Sequence, residues 1–235
     1  MLVTLLPLDA HMRTARALAF AGLLATVASP DAAQTTFKFL AGSGVGGLGT
    51  QVGVYKAQRG GNNIDIFCVD FLNHVGVGNI YRVNITSLGG TPNLINTRFK
   101  NYDTYRQAAW LASQFLRQPP LPTSQWALLH AAIWQVTSGQ PSVSAARQVV
   151  VNNWLAQAAA NFRRYDYSNV QVLSDIAIRN CRVQVNCGHQ EHITFVGGGL
   201  TTLTPEPASM LLLATGLVGL GAAGFVKRRK ERRQS

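Results

Sequence analysis

The sequence predicts an α+β fold in which antiparallel strands flank an insertion of about three helices. Short runs rich in β-branched and aromatic residues occur before and after the middle of the chain, and glycines separate them. Apolar residues in the middle recur at helical spacing instead. The chain has 235 residues, 47% hydrophobic and only 13% charged, which excludes a charged disordered chain and a long coiled coil.

Strands are predicted on both sides of the helices. Each candidate is a short apolar or alternating run that stops near a glycine or a polar turn. We interpret these runs as antiparallel strands, over residues 36–40, 51–56, 64–71 and 80–88 before the helices and 170–178, 182–185 and 193–196 after them.

The three helices are predicted over residues 102–117, 124–137 and 143–162. Thr123 is the expected N-cap of the second helix, and Gly139 follows its end. All four tryptophans of the chain fall on these helices, where core packing is the expected role of an indole, at positions Trp110, Trp126, Trp134 and Trp154.

Residues 1–33 are typical of an export signal peptide. Two arginines precede an uncharged apolar run from Ala17 to Val27, and small residues follow this run. Cleavage is expected between Ala28 and Ala33. The first eleven residues fit a signal peptide poorly, so Met12 is the expected start of translation. The alternative is that the apolar run is a buried helix of the fold.

A second apolar segment, residues 208–226, predicts a membrane-spanning helix. It has 19 residues without a charge, and such a helix is roughly 28 Å long, close to the thickness of a bilayer core. A basic tail, residues 227–235, follows directly. The positive-inside rule places that tail in the cytoplasm and the central region on the other side. This topology explains the tail better than nucleic-acid binding does. The basic residues are Lys227, Arg228, Arg229, Lys230, Arg232 and Arg233.

The segment before this span carries Pro205, Glu206 and Pro207. The prolines fix φ and hold the segment extended, which suits a peptide presented to a protease. The order of this tripeptide, an apolar span and an Arg-rich terminus resembles the PEP-CTERM sorting signal of Gram-negative bacteria. That resemblance implies recognition by an exosortase, a membrane-embedded cysteine protease that removes the anchor and delivers the protein to the cell surface or matrix. The alternative is a permanent single-pass anchor.

The region between signal and sorting motif is expected to form one exported domain, residues 34–196, followed by a flexible glycine-rich linker, residues 197–204. Residues 34–204 contain 13 basic and 6 acidic side chains, a net charge of +7. Such a domain is attracted weakly, in a salt-sensitive way, to an acidic exopolysaccharide. The sequence therefore favours a non-enzymatic surface or matrix protein that begins as an inner-membrane precursor with a periplasmic domain.

Cys68 is the strongest candidate for chemistry. Phe67-Cys68-Val69-Asp70 and Ala132-Ile133-Trp134 resemble motifs of the thioester domains of bacterial surface adhesins, in which a cysteine bonds to a glutamine side chain. His130 stands where that glutamine should be, and imidazole has no acyl group, so no internal thioester can form. The resemblance instead places Cys68 near His130, and an imidazole can activate a thiol. The alternative is that both residues only pack in the core.

Cys181 and Cys187 are expected to form a disulfide in an oxidising exported compartment. The alternative is a zinc site formed by these cysteines with His189 and His192. Export favours the disulfide, and we expect neither a metal nor a cofactor. The chain has no Ser-His-Asp order, no His-Glu-x-x-His motif and no closely spaced pair of carboxylates, which disfavours a hydrolase. A sugar- or ice-binding module would need a regular threonine array, which is absent.

Overall fold

The computed structural model describes residues 33–180 and 187–203. The helices in these residues are α1 (Tyr102–Ser113), α2 (Trp126–Ser138) and α3 (Ala145–Asn161). The strands are β1 (Ala33–Ala41), β2 (Gly46–Gly47), β3 (Thr50–Gln51), β4 (Tyr55–Arg59), β5 (Asn62–Cys68), β6 (Ile80–Ser87), β7 (Tyr165–Asp166), β8 (Val170–Asp175), β9 (His192–Phe195) and β10 (Thr201–Thr202).

Six of the strands close into a barrel. Their order around it is β1-β4-β5-β9-β8-β6, and every neighbouring pair is antiparallel. All three α-helices lie between β6 and β8 in the chain. The predicted α+β class with a helical insertion is therefore confirmed. Closure of the sheet on itself is a feature that the sequence patterns do not predict.

Strand β1 shows why these residues form a barrel wall. Phe37 and Phe39 are buried while Lys38 between them is partly exposed, as expected for a strand with one face in the core. The next two wall strands, β4 and β5, are joined by the two residues Gly60 and Gly61, at φ 54° and 88°. Positive φ at both positions is the geometry of a tight hairpin whose twist matches its strands.

The helices pack on one another beside the barrel, with α2 in contact with both α1 and α3. Asn101 caps α1, because its side chain accepts a hydrogen bond from the Thr104 N–H at 3.0 Å. Gly139 ends α2 in the left-handed conformation, as predicted. The prediction of Thr123 as N-cap of α2 is wrong: residues 123–125 form a 3₁₀ turn, and Gln125 occupies the cap position.

Several predicted boundaries shift. The run 51–56 divides into β3 and the start of β4, and the run 64–71 becomes β5, which ends at Cys68. Part of the predicted flexible linker 197–204 is ordered, because Thr201–Thr202 pairs with Tyr165–Asp166. The predicted strand 182–185 lies outside the residues that the structure describes.

In residues 33–180 and 187–203, no helix has the length and apolarity needed to cross a bilayer. The predicted signal peptide, membrane span and basic tail lie outside these ranges, as does the sorting motif.

Candidate functional site

The end of β5 and the middle of α2 bring together the candidate pair. Cys68 is the last residue of β5, and His130 and Trp134 lie one turn apart on α2. All three side chains are completely buried. The proximity of Cys68 and His130 expected from the adhesin resemblance is therefore present in the structure.

The imidazole of His130 is held by main-chain groups on both sides. Its Nδ1 accepts a hydrogen bond from the Gly53 N–H at 2.8 Å, so the ring proton lies on Nε2, which donates to the Cys68 carbonyl oxygen at 2.9 Å. Burial lowers the pKa of His130 to about 4, an effect that the bond to the Cys68 carbonyl opposes. The ring is therefore neutral at pH 7, and both of its nitrogens are already bonded.

The thiol of Cys68 makes different contacts. Its Sγ accepts a hydrogen bond from Trp134 Nε1–H at 3.2 Å and donates to the Asp70 carbonyl oxygen at 3.2 Å. Burial, followed by the negative charge of Asp70, raises the pKa of the thiol far above its ordinary value. A nucleophilic cysteine needs a depressed pKa and access to a reagent, and Cys68 has neither.

Gly53 completes this site through a close approach. Its φ is 107°, and a Cβ there would lie 2.2 Å from Cε3 of Trp126. Position 53 therefore has to be glycine, because any side chain there would clash with Trp126 before the Gly53 N–H could reach His130. Together these contacts join β5, α2 and the loop before β4 into one packed unit.

The carboxylate of Asp70, two residues after Cys68, pairs with Arg98 and Asn73. Its Oδ2 lies 2.8 Å from Arg98 Nε in a fully buried ion pair, and it accepts a hydrogen bond from Asn73 Nδ2 at 2.9 Å. The Arg98 guanidinium also donates to the carbonyl oxygens of Cys187 and His189, at 2.9 and 3.2 Å. This network fixes the segment that leads into β9.

Glu191 is a second buried carboxylate beside this pair. It accepts hydrogen bonds from Ser174 Oγ and from Tyr105 OH, each at 2.5 Å, and from the Arg98 N–H at 2.9 Å. Burial raises the pKa of Glu191 to about 7, although the bonds from Ser174 and Tyr105 oppose this shift. Sequence reasoning missed the Asp70, Arg98 and Glu191 cluster, because its members are far apart in the chain and share no motif.

His192 lies in the interior of the barrel. Its ring is stacked with Phe37 at 5.5 Å and with Phe39 at 6.2 Å. Neither ring nitrogen has a hydrogen-bond partner among the described residues. Burial is the main cause that lowers the pKa of His192 to about 3, and the nearby His130 is the second. The main chain of Gln190 opposes this shift.

The proposed zinc ligands do not converge within the described ranges. His189 Nδ1 lies 2.6 Å from Asp175 Oδ2, and its ring stacks on Tyr81 at 3.9 Å. No group of three or more potential metal ligands occurs among residues 33–180 and 187–203. Cys187 is disulfide-bonded and Cys68 is free. Cys181 lies outside the described residues, so its pairing with Cys187 stays a prediction.

The sorting residues Pro205, Glu206 and Pro207 and the basic cluster 227–233 also lie outside the described residues. Comparisons of this chain with protein-family models, with curated proteins and with solved structures find no match.

Proposed function

We propose that this chain is a non-enzymatic, exported protein of the cell surface or extracellular matrix. A helix over residues 208–226 anchors the precursor in the inner membrane, and an exosortase cleaves near residues 205–207. The observation that carries the proposal is the three-part order of the C-terminal region: a Pro-Glu-Pro tripeptide, an uncharged span and a basic tail. A signal peptide over residues 1–33 gives the same topology independently.

Two features of the described domain support export without catalysis. Cys187 is disulfide-bonded, and disulfides persist in oxidising compartments outside the cytoplasm. Cys68 is buried against Trp134, and the pKa of its thiol is raised. Both ring nitrogens of His130 are hydrogen-bonded to main-chain groups. The domain is therefore better suited to a stable structural or binding role than to nucleophilic chemistry.

Intact mass of the protein from membrane and extracellular fractions tests the proposed processing. We expect a fragment ending near Pro207 outside the cell, lost in a Glu206→Ala variant. Glu231→Ala is the matched control, because it removes the same charge from the basic tail without touching the tripeptide. A full-length species confined to the membrane in all three proteins would show that the tail is a permanent anchor.

Association with an acidic exopolysaccharide has support on one outer face of the barrel. The β1–β6 register pairs Arg82 with Thr36 and Lys38 with Ile80, so the two basic side chains are diagonal neighbours. Among the described residues neither has a carboxylate partner. Retention on a polygalacturonate column should fall with salt and fall further in a Lys38→Gln, Arg82→Gln double variant, whereas Lys100→Gln should behave as wild type. Retention that salt does not change would contradict this part of the proposal.

The alternative function is a Cys68- and His130-dependent enzyme or covalent adhesin. The closeness of Cys68 to His130 favours it, but the two side chains do not bond each other: His130 bonds main-chain groups of Gly53 and Cys68, and the Cys68 thiol bonds Trp134 and the Asp70 carbonyl. Labelling the native protein with a maleimide discriminates between the two proposals: rapid labelling of Cys68 would support the alternative, and an inert Cys68 would exclude it.

A further inference from the structure

Four adjacent wall strands share a continuous polar outer face. Lys38 of β1 pairs with Ile80 of β6 on one side and with Gln58 of β4 on the other. Gln58 in turn pairs with Asn63 of β5. These residues form one row across the wall, and they lie on the same face because directly paired residues of neighbouring strands do so. Phe37, next to Lys38 in the chain, is buried, which places the row on the outside of the barrel.

One end of this outer face is basic. Lys38 and Arg82 are diagonal neighbours on β1 and β6, a relation that sets two residues about 7–8 Å apart. Among the described residues neither has a carboxylate partner. This end therefore carries two uncompensated positive charges.

The other end of the outer face is polar but electrically neutral. Lys56 and Asp65 are paired across β4 and β5, and Lys56 Nζ lies 2.5 Å from Asp65 Oδ1. Asn63 stands two residues before Asp65, so its side-chain amide lies on the same face. A sugar hydroxyl both donates and accepts hydrogen bonds, and an ammonium, a carboxylate and an amide together supply both kinds of partner.

A depression of about 560 Å³ lies at this neutral end. The register of the β1–β4 ladder shifts between Phe39 and Ala41, which leaves Leu40 as an extra residue, and a bulge of this kind bends its strand. The volume is within the range of ligand-binding clefts, roughly 300–1,000 Å³. The lining residues are Leu40, Lys56, Ala57, Asn63, Ile64 and Asp65.

We propose that the outer face binds a polysaccharide stretch that is acidic at one end and neutral along the rest. The acidic sugar lies against Lys38 and Arg82, and neutral sugars occupy the depression beside Asn63 and Asp65. From Arg82 to Asp65 the path crosses three strand spacings and four residues along the strands, roughly 20 Å in all. The inference rests on the proposed association with an acidic exopolysaccharide and goes beyond it, because it specifies where the polymer carries charge.

Asp65 disfavours a polymer that is charged on every unit. Such a polymer brings a carboxylate next to Asp65, whose own charge is offset only by Lys56, and neighbouring like charges are destabilising. A polymer with neutral sugars at this end meets no such repulsion. Its hydroxyls donate to Asp65 and accept from Lys56 or Asn63 instead. The neutral end therefore selects against uniform charge, while the basic end selects for an acid.

Hexasaccharides of galacturonic acid test this pattern on the full chain in a non-ionic detergent. One probe has every carboxylate free. The end-acid probe keeps two free carboxylates at one end and carries methyl esters on the other units, and it is made in both polarities. Isothermal titration calorimetry at physiological salt should show that one polarity of the end-acid probe binds at least threefold more tightly than the fully acidic probe.

Variants locate the two ends. Lys38→Gln should weaken binding of the end-acid probe at least threefold and reduce its salt dependence. Asn63→Ala should weaken it as much without changing the salt dependence. Asp65→Asn should strengthen binding of the fully acidic probe alone, so that the preference disappears. Asp103→Asn is the matched control, because Asp103 on α1 has a similarly exposed side chain, 46% against 47% for Asp65, and removes the same charge.

None of the substituted side chains is buried, so the variants should fold. Three results would overturn the inference: a fully acidic probe that binds as tightly as both end-acid probes, a preference unchanged by Asp65→Asn, or the same loss of preference in Asp103→Asn. Salt-sensitive retention on polygalacturonate that depends on Lys38 and Arg82 would then still support the proposed association. If no probe binds and retention is also absent, the inference and the association both fail, while intact mass decides the proposed processing separately.

Discussion

Replacing His192 by phenylalanine is expected to make the protein resistant to acid unfolding. His192 is fully buried between Phe37 and Phe39, and its ring nitrogens have no hydrogen-bond partner among the described residues. A phenyl ring therefore fits the same aromatic environment and gives up no hydrogen bond there. What it removes is the cost of protonating an imidazole inside the barrel.

The size of the effect follows from the pKa of His192, which is about 3 in the folded protein against an ordinary 6.5. Between these values the unfolded chain binds a proton that the folded chain does not, so the free energy of unfolding falls as the pH drops. Each pH unit is worth about 1.4 kcal/mol. Lowering the pH from 6.5 to 4.5 should thus cost wild type about 3 kcal/mol through this residue alone.

Two other buried groups titrate in the same interval. His130, with a folded pKa of about 4, should cost about 3 kcal/mol between pH 6.5 and 4.5, in the same direction as His192. Glu191 has the opposite sign: its folded pKa of about 7 lies above the ordinary 4.5, so acid stabilises the fold by about 3 kcal/mol. The contribution of Glu191 is shared by wild type and variant and cancels in the difference between the two proteins, and that of His130 cancels apart from its coupling to His192.

Urea unfolding followed by tryptophan fluorescence at pH 7 and pH 4.5 measures this difference. The full chain in detergent serves for both proteins, and all four tryptophans lie on the helices of the described domain. We expect the variant's advantage in free energy of unfolding to grow by about 3 kcal/mol from pH 7 to pH 4.5. An advantage that stays the same at both pH values would refute the assignment of His192 as a buried neutral histidine.

Three further predictions concern the packed site. Gly53→Ala should destabilise the protein by several kcal/mol, seen as a lower Tm, because its Cβ would lie 2.2 Å from Trp126. Arg98→Leu should cost about 3–5 kcal/mol in urea unfolding, because it leaves Asp70 buried without its ion-pair partner. Cys68 should react with maleimide only on global unfolding, so its labelling rate should rise steeply with urea.

Controls for these predictions come from exposed positions. Gly44→Ala also changes a glycine at positive φ, 75°, but no atom lies within 4 Å of the added Cβ, so it isolates backbone strain from the clash. Arg82→Leu removes an exposed arginine and should change the free energy of unfolding by less than about 0.5 kcal/mol. If Gly44→Ala were as harmful as Gly53→Ala, the contact with Trp126 would not be the cause.

Local patterns account for the parts of the fold that the sequence analysis predicted. The three helices follow from apolar periodicity, and the end of α2 follows from Gly139. The strands β1 and β6 follow from alternation. Closure of the barrel depends on β9 pairing with β8 and also with β5, which lies more than a hundred residues earlier in the chain, and no local pattern encodes that second pairing.

The candidate site was likewise predicted only in part from the sequence. The adhesin resemblance anticipated that Cys68 and His130 are close, yet it did not anticipate the bonds from Gly53 and Trp134 that occupy them. Those bonds depend on the three-dimensional approach of α2 to the loop before β4 and to the end of β5. Likewise Glu191 lies within a short polar run of the sequence, and only the fold reveals that it is completely buried.

The late position of β9 in the chain has a consequence for export. If the chain is exported as proposed, the barrel cannot close until residues 192–195 have left the translocation channel, because β9 joins β5 to β8. The predicted membrane span begins thirteen residues after Phe195, and that stretch reaches at most about 45 Å when fully extended. Closure would then coincide with the arrival of the predicted span in the membrane. Until then one edge of β5 and one edge of β8 remain unpaired, and, if the chain is exported as proposed, a periplasmic chaperone that covers open strand edges should raise the yield of folded protein.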